Sequence, residues 1–237
     1  MTLRFAPLPV ALPPGCSGVR VDVAEVAPLV AVMPSGDWPE SMRGAADSRR
    51  ADYLAGRLAA REAVRLATSL DARIGRADDG SPVWPDGVEG SISHYRGVAA
   101  AVAREARGGI GIDIAPLLDG DRLQAVVRRC LTDAERSRQP SDAEVSLAFA
   151  AKEALFKAVH ARVQRHVGFD EAEVVVTDGP GSTVDMGHPV DVSDRRTQTG
   201  TWTAVLADDL ARQFSIATVH GTYAWEHGLV YAVVALD

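Results

Sequence analysis

VSLAFAAKEALFKAV, residues 145–159, is the stretch from which the rest of the chain can be read. Eleven of its 15 residues are apolar, and its charges are Lys152, Glu153 and Lys157. With good helix formers and neither proline nor glycine, it predicts a helix. At about 100° per residue, Leu147, Ala151, Ala154, Leu155 and Ala158 share one stripe that faces a core. Phe149 and Phe156 fall on the other side, between Lys152 and Glu153, so both sides are expected to be at least partly covered. A surface helix would show a polar face instead. Charges in such surroundings need a partner or a ligand. Two readings stay open. Glu153 and Lys157 can form an i,i+4 pair worth about 0.2–0.5 kcal/mol. Alternatively, Glu153 is a metal ligand or general base and Lys157 a point charge on a phosphate. Composition favours the second: of 25 Lys and Arg residues in the 237-residue chain, two are lysine, and both lie here.

Upstream, GGIGIDIAP (108–116) predicts a strand ended by Pro116. Gly109, Gly111 and Asp113 share one face and the three isoleucines the other. Glycines beneath Asp113 mark a place where backbone or ligand approaches closely. Asp113 is either a solvated turn residue or a carboxylate suited to a hard cation such as Mg²⁺, which takes one or two carboxylates together with phosphate oxygens. The third glycine and following helix of a dinucleotide fingerprint are missing. In WPDGVEGSISHYRG (84–97), Ser93 and His94 are neighbours and on a strand face opposite ways, a poor nucleophile–base pair. No G-x-S-x-G occurs. A histidine hydrogen-bonded in a loop and an anion-binding segment both remain open. Residues 45–70 predict a helix with Tyr53, Leu54, Leu58, Val64 and Ala67 as its apolar stripe. Arg49 and Arg57 lie on it within an arc of about 80° and roughly 12 Å along the axis. They are either part of a solvated face or a pair spaced for two phosphates of one extended ligand.

The remaining pattern predicts strands over 19–32, 98–103, 110–114, 173–176, 201–206, 214–219 and 229–236, a turn-rich loop over 71–90 and one charged helix over 118–138. Two α/β halves of similar size, or a single mixed sheet, would satisfy that order. A net charge of −7 argues against nucleic acid or an anionic membrane surface as the main partner. Cys16 and Cys130 are far apart, which disfavours a disulfide framework or a zinc site and suits a reducing compartment. Prolines 7, 9, 13 and 14 break the apolar start as a signal peptide, and no run approaches the roughly 20 apolar residues of a span. A cytoplasmic protein without stable membrane insertion is expected.

RADYLAGRLAAREAV (50–64), PVWPDGVEGSISH (82–94), GIGIDI (109–114) and LAFAAKEALFKA (147–158) stand in an order that resembles the 4′-phosphopantetheinyl transferases. The likeness is to the siderophore-synthase-associated, enterobactin-like branch of the surfactin-type class, and covers about half of the chain. Its strongest motif is F-x-x-K-E-x-x-x-K, here Phe149 to Lys157. The resemblance implies an α+β fold of two pseudo-symmetric α/β halves with coenzyme A between them. Residues 1–117 would contact the nucleotide and phosphates, and residues 118–237 would carry the metal and base helix and dock the carrier. It implies an Mg²⁺-dependent enzyme, expected as a monomer, that moves the phosphopantetheine arm of coenzyme A to a serine of an apo acyl or peptidyl carrier protein.

By position in the motifs, Asp113 and Glu153 correspond to the metal carboxylates, with Glu153 also the base. Lys157 corresponds to the pyrophosphate-binding lysine, so Asp113, Glu153 and Lys157 make the catalytic set. Arg49, Arg57, Arg76, Ser93, His94, Asp113, Lys152 and Lys157 correspond to coenzyme A contacts. Arg122, Arg128 and Arg129 lie where the family docks its carrier. The family's second acid after the Asp is replaced by Ala115, and a water is expected to complete the metal shell. A degenerate relative that binds coenzyme A or a carrier without transfer, and a metal-dependent phosphohydrolase, are the competing readings.

Overall fold

A computed structural model describes residues 3–105, 108–163, 165–177 and 197–236. The chain separates into two compact units, Met1–Leu8 with Pro14–Arg107, and Pro9–Pro13 with Gly108–Asp237. Each is helix packed on antiparallel sheet, so the α+β expectation holds. The division falls ahead of the GIGIDI strand, not after it at 117, because that strand pairs with the last strand of the chain.

The first unit contains β1 (Ala6–Pro7), β2 (Cys16–Asp22), α1 (Val23–Val32), α2 (Glu40–Arg43), α3 (Asp47–Thr68), β3 (Gly75–Arg76), β4 (Pro82–Val83), β5 (Val88–Tyr95) and β6 (Val98–Glu105). Its main sheet has the order β1-β2-β6-β5, and β3 and β4 form a small hairpin within the expected loop. The predicted strand over 19–32 is strand only as far as Asp22 and helix from Val23 on. Asp22 stops it by accepting a hydrogen bond from the Ala24 amide (2.8 Å), an N-cap that starts α1. Val23, Val26 and Val30 then follow helical rather than alternating spacing into the core.

On α3 the buried face is Ala51, Ala55, Gly56, Ala59, Ala60, Ala63 and Val64, so the expected stripe holds at Val64 and is corrected at Tyr53, Leu54 and Leu58. Tyr53, Leu54 and Leu58 flank that face, half-buried. Alanine meets alanine here, since Ala99, Ala101 and Ala103 of β6 supply the opposing surface, and small side chains let the helix lie close on the sheet.

The second unit contains β7 (Ile110–Pro116), α4 (Gly120–Cys130), α5 (Asp133–Ser137), α6 (Asp142–Val163), β8 (Ala172–Thr177), β9 (Gln198–Leu206), α7 (Asp208–Phe214), β10 (Thr218–Glu226) and β11 (Leu229–Ala235). The sheet order is β7-β11-β10-β9-β8, with every neighbour antiparallel. The predicted helix over 118–138 is two helices. Thr132 ends the first run and caps the second through a reciprocal box with Glu135. The strand expected over 214–219 begins at Thr218, because Phe214 closes α7 and Ser215 turns with positive φ. Residues 178–196, which follow β8, lie outside the described residues.

α6 carries the 145–159 stretch, and its predicted stripe is buried as expected, with Leu147, Ala151, Ala154, Leu155 and Ala158 each at most 2% exposed. It lies against β7 at a separation that only glycine permits. A Cβ on Gly111 would stand 1.8 Å from the Ala154 carbonyl oxygen, and one on Gly109 would stand 2.1 Å from that of Ala158. Gly109 also has φ +106, a conformation that L side chains rarely adopt. The glycines of the GIGIDI strand thus admit the backbone of the helix.

Candidate functional site

Bringing α6 onto β7 sets three charged side chains of the second unit together. Asp113, 8% exposed, lies two residues beyond Gly111 on the same strand face. Lys157 Nζ donates to Asp113 Oδ1 at 2.6 Å and to the Ile112 carbonyl at 3.0 Å. Glu153 sits one helical turn before Lys157 and is half-buried. Burial pushes the Glu153 carboxyl above its ordinary 4.5, the charge of Asp113 pushes it further the same way, and Lys157 and His166 oppose the rise. His166 had no motif to single it out. Ala115 shares the strand face of Asp113 but is 2% exposed and belongs to the core against α6.

The raised pKa has a sign that can be measured in metal-free protein. Below the ordinary 4.5 of an unfolded chain, Glu153 is protonated in both states and costs nothing. As pH climbs from there through the raised folded value, the unfolded state releases the proton first and stability falls. Glu153→Gln removes that loss. In chelator-treated protein its melting temperature is expected to exceed that of the wild type at pH 7–8, with the gap closing as pH falls below the ordinary value. Thermal scans across pH check this; a gap independent of pH would contradict it.

Lys152 is corrected. Its side chain is 0% exposed, and the ammonium donates to the Cys130 carbonyl (2.8 Å), Glu135 Oε2 (2.7 Å) and the Phe169 carbonyl (2.8 Å). Three donors meet three acceptors, so nothing is left for coenzyme A. Burial pushes this ammonium's pKa down, opposed by its hydrogen bond to the Glu135 carboxylate. Glu135, 3% exposed, is the residue that motif reading missed, although the T-x-x-E capping signature at Thr132 made it legible.

In the first unit, Ser93 is buried and His94 exposed on alternate faces of β5, as strand geometry requires. Ile92, on the His94 side, lies over Gly56 of α3. Arg49 is exposed on α3. Two turns on, Arg57 lies over the Tyr53 ring at 5.0 Å, and its buried Nε has no hydrogen-bond partner among the described residues. A buried guanidinium N–H without an acceptor suits an anionic ligand. Arg76 donates to the Gly80 carbonyl at 2.8 Å and so braces its own turn. Arg122, Arg128 and Arg129 are exposed on α4.

No group of three or more His, Cys, Asp or Glu converges among the described residues. What the second unit offers a cation is two carboxylates, Asp113 and Glu153, close enough for one to raise the other's pKa. That donor set fits Mg²⁺, which prefers oxygen and retains water or phosphate oxygens in its remaining positions.

Two family models match the chain: the 4′-phosphopantetheinyl transferase N-terminal domain over residues 38–122, and the 4′-phosphopantetheinyl transferase superfamily over residues 109–219. The 4′-phosphopantetheinyl transferase PptT of Mycobacterium tuberculosis is 30% identical over 198 residues, 79% of each chain. The chain belongs to the 4′-phosphopantetheinyl transferase family. Two further members of the family are similar. The 4′-phosphopantetheinyl transferase Npt of Nocardia iowensis is 33% identical over 167 residues, covering 61% of this chain and 74% of the relative. Enterobactin synthase component D of Salmonella typhi is 36% identical over 140 residues, 57% of this chain and 58% of the relative. The alignment therefore spans little more than half the length of the enterobactin synthase relative. No helix among the described residues of this transferase-family chain is long and apolar enough to cross a membrane.

Proposed function

We propose that this chain transfers the 4′-phosphopantetheine arm of coenzyme A to a serine of an apo acyl or peptidyl carrier protein, with Mg²⁺ held by Asp113 and Glu153. The observation that carries the reading is the contact of Lys157 with Asp113, one turn from Glu153, in a chain of the 4′-phosphopantetheinyl transferase family.

The chemistry follows from what each group can do. A serine hydroxyl is too weak an acid for a carboxylate to ionise beforehand. Glu153, its basicity raised by burial and by Asp113, accepts the proton as the serine oxygen attacks the β-phosphorus of the pyrophosphate. The bond from the serine oxygen to that phosphorus forms, the bond from phosphorus to the bridging oxygen breaks, and 3′,5′-bisphospho-adenosine leaves. Lys157 brings a compact positive charge to the pyrophosphate from the side of Asp113. Bound Mg²⁺ would supply further positive charge to the phosphate oxygens at this site.

Arg49, Arg57, Ser93 and His94 are assigned to the phosphates and nucleotide of coenzyme A. The unpartnered Nε of Arg57 supports that assignment most directly. Arg76 is a weaker member of the group, since part of its guanidinium already closes a turn. The exposed arginines of α4, Arg122, Arg128 and Arg129, are assigned to docking an acidic carrier. A siderophore or other secondary-metabolite carrier is the expected partner class, given the enterobactin synthase relatives.

Following coenzyme A consumption and nucleotide release by chromatography, with and without an apo carrier, tests the reading. Release of 3′,5′-bisphospho-adenosine that depends on the carrier is expected. Release without a carrier would point to a phosphohydrolase, and binding without release to a non-catalytic relative. Lys157→Arg keeps the charge but replaces a point donor with a wider planar fork. It is expected to lower kcat/KM about ten-fold or more. Steady-state rates near wild type would remove the lysine from the pyrophosphate site.

A further inference from the structure

The buried Lys152–Glu135 pair stands next to the reacting carboxylate in sequence but takes no part in the chemistry above. Lys152 Nζ draws together three separate segments: the carbonyl of Cys130 at the end of α4, Glu135 in α5, and the carbonyl of Phe169 ahead of β8. Glu135 extends the junction. Its Oε2 also accepts from the Thr132 amide at 2.7 Å, and its Oε1 from the Val174 amide in β8 at 2.6 Å. Directly or through Glu135, these segments are all tied to one ammonium of α6.

Stability alone is a poor account of such a pair, because well-packed apolar replacements of buried ion pairs are often neutral or stabilising. Orientation is a better one. Lys152 and Glu153 are consecutive, about 100° apart around the helix axis. The rotation of α6 that seats Lys152 on its three acceptors therefore also sets where Glu153 points. The same ammonium holds the C-terminus of the helix that displays Arg122, Arg128 and Arg129. A guanidinium, larger and planar, cannot replace a tetrahedral ammonium among three converging acceptors at a site with 0% exposure. This gives a physical reason for a lysine here in a chain that otherwise uses arginine.

We propose that Lys152 and Glu135 are a positioning pair that locks α4 and α5 to the helix bearing Glu153, so that the carboxylate and the arginine face of α4 are held in one fixed relation. The proposal rests on the transferase reading for the roles of Glu153 and α4. The geometric lock itself stands without that reading.

The test uses the full chain with Lys152→Met and Glu135→Gln combined, which removes both charges together and leaves an amide oxygen for the Thr132 or Val174 amide. Circular dichroism and thermal melting establish the folded fraction. At temperatures where the variant is folded, kcat is expected to fall about ten-fold or more while KM for coenzyme A stays within about two-fold. Amides of residues 126–130 are expected to exchange hydrogen about ten-fold faster, with α3 and β5 unchanged. Glu135→Asp, which keeps the charge but withdraws it from Lys152, is expected to show both effects more weakly.

A kcat per folded molecule within about two-fold of wild type, or unchanged exchange in α4, overturns the proposal. Unfolding of both variants overturns it as well, since the pair would then serve the fold alone. Wild-type protein that moves no arm onto any carrier would refute the transferase reading, and the exchange comparison would still decide the lock.

Discussion

Glu153→Gln is expected to slow transfer to an apo carrier by about 10²- to 10⁴-fold, the range over which a positioned general base contributes. The substitution keeps the volume and shape of the side chain and removes its capacity to take a proton. It also leaves Asp113 as the one carboxylate for the cation. The fold is expected to survive, because the neutral form is the one that the surroundings favour: burial and the Asp113 charge both raise the Glu153 pKa. Loss of transfer with an unchanged or higher melting temperature is therefore the predicted pattern, read by single-turnover kinetics and thermal melting on the same samples. A rate within about ten-fold of wild type would exclude Glu153 as the base.

Gly111→Ala is expected to damage the fold of the second unit severely. The added Cβ would stand 1.8 Å from the Ala154 carbonyl oxygen and 2.7 Å from its carbon. Both are helix backbone, which cannot turn aside as a side chain would. α6 would have to move off β7, taking Glu153 and Lys157 away from Asp113. A loss of about 3 kcal/mol or more is expected in urea denaturation, at the upper end of the overpacking range. Residual folded protein is expected to transfer poorly. Gly36→Ala is the control: no atom lies within 4 Å of its added Cβ and its φ is not positive, so a change within about 0.5 kcal/mol is expected. Equal effects at the two positions would contradict the close packing of helix on strand.

Much of the site was legible because its residues break local habits. Two lysines in an arginine-rich chain, and a carboxylate on a strand just after two alternating glycines, stand out without any tertiary information. What those features are for was less legible. Gly109 and Gly111 could have faced a ligand; they face the carbonyls of α6, a distinction that exists only after helix and strand have met. The two lysines look equivalent in sequence, yet one is sealed on three acceptors and the other is half-exposed beside Asp113.

The fold shows the same limit. The stripe of α6 was readable because both its sides are apolar, whereas on α3 the core lies along alanines, whose hydrophobicity is too weak to outvote Tyr53 and Leu58 in a periodicity count. Val23–Val32 is rich in β-branched valine, and its helix is decided by one capping carboxylate, Asp22, which a composition reading passes over.

The most direct measurement is the intact mass of an apo carrier protein after incubation with this chain, coenzyme A and Mg²⁺, beside the same carrier with its acceptor serine changed to alanine. A gain equal to one phosphopantetheine arm is predicted on the serine-containing carrier, lost with a chelator and lost with Glu153→Gln. No mass gain on several acyl and peptidyl carriers, or an equal gain on the carrier without its serine, would contradict the assignment.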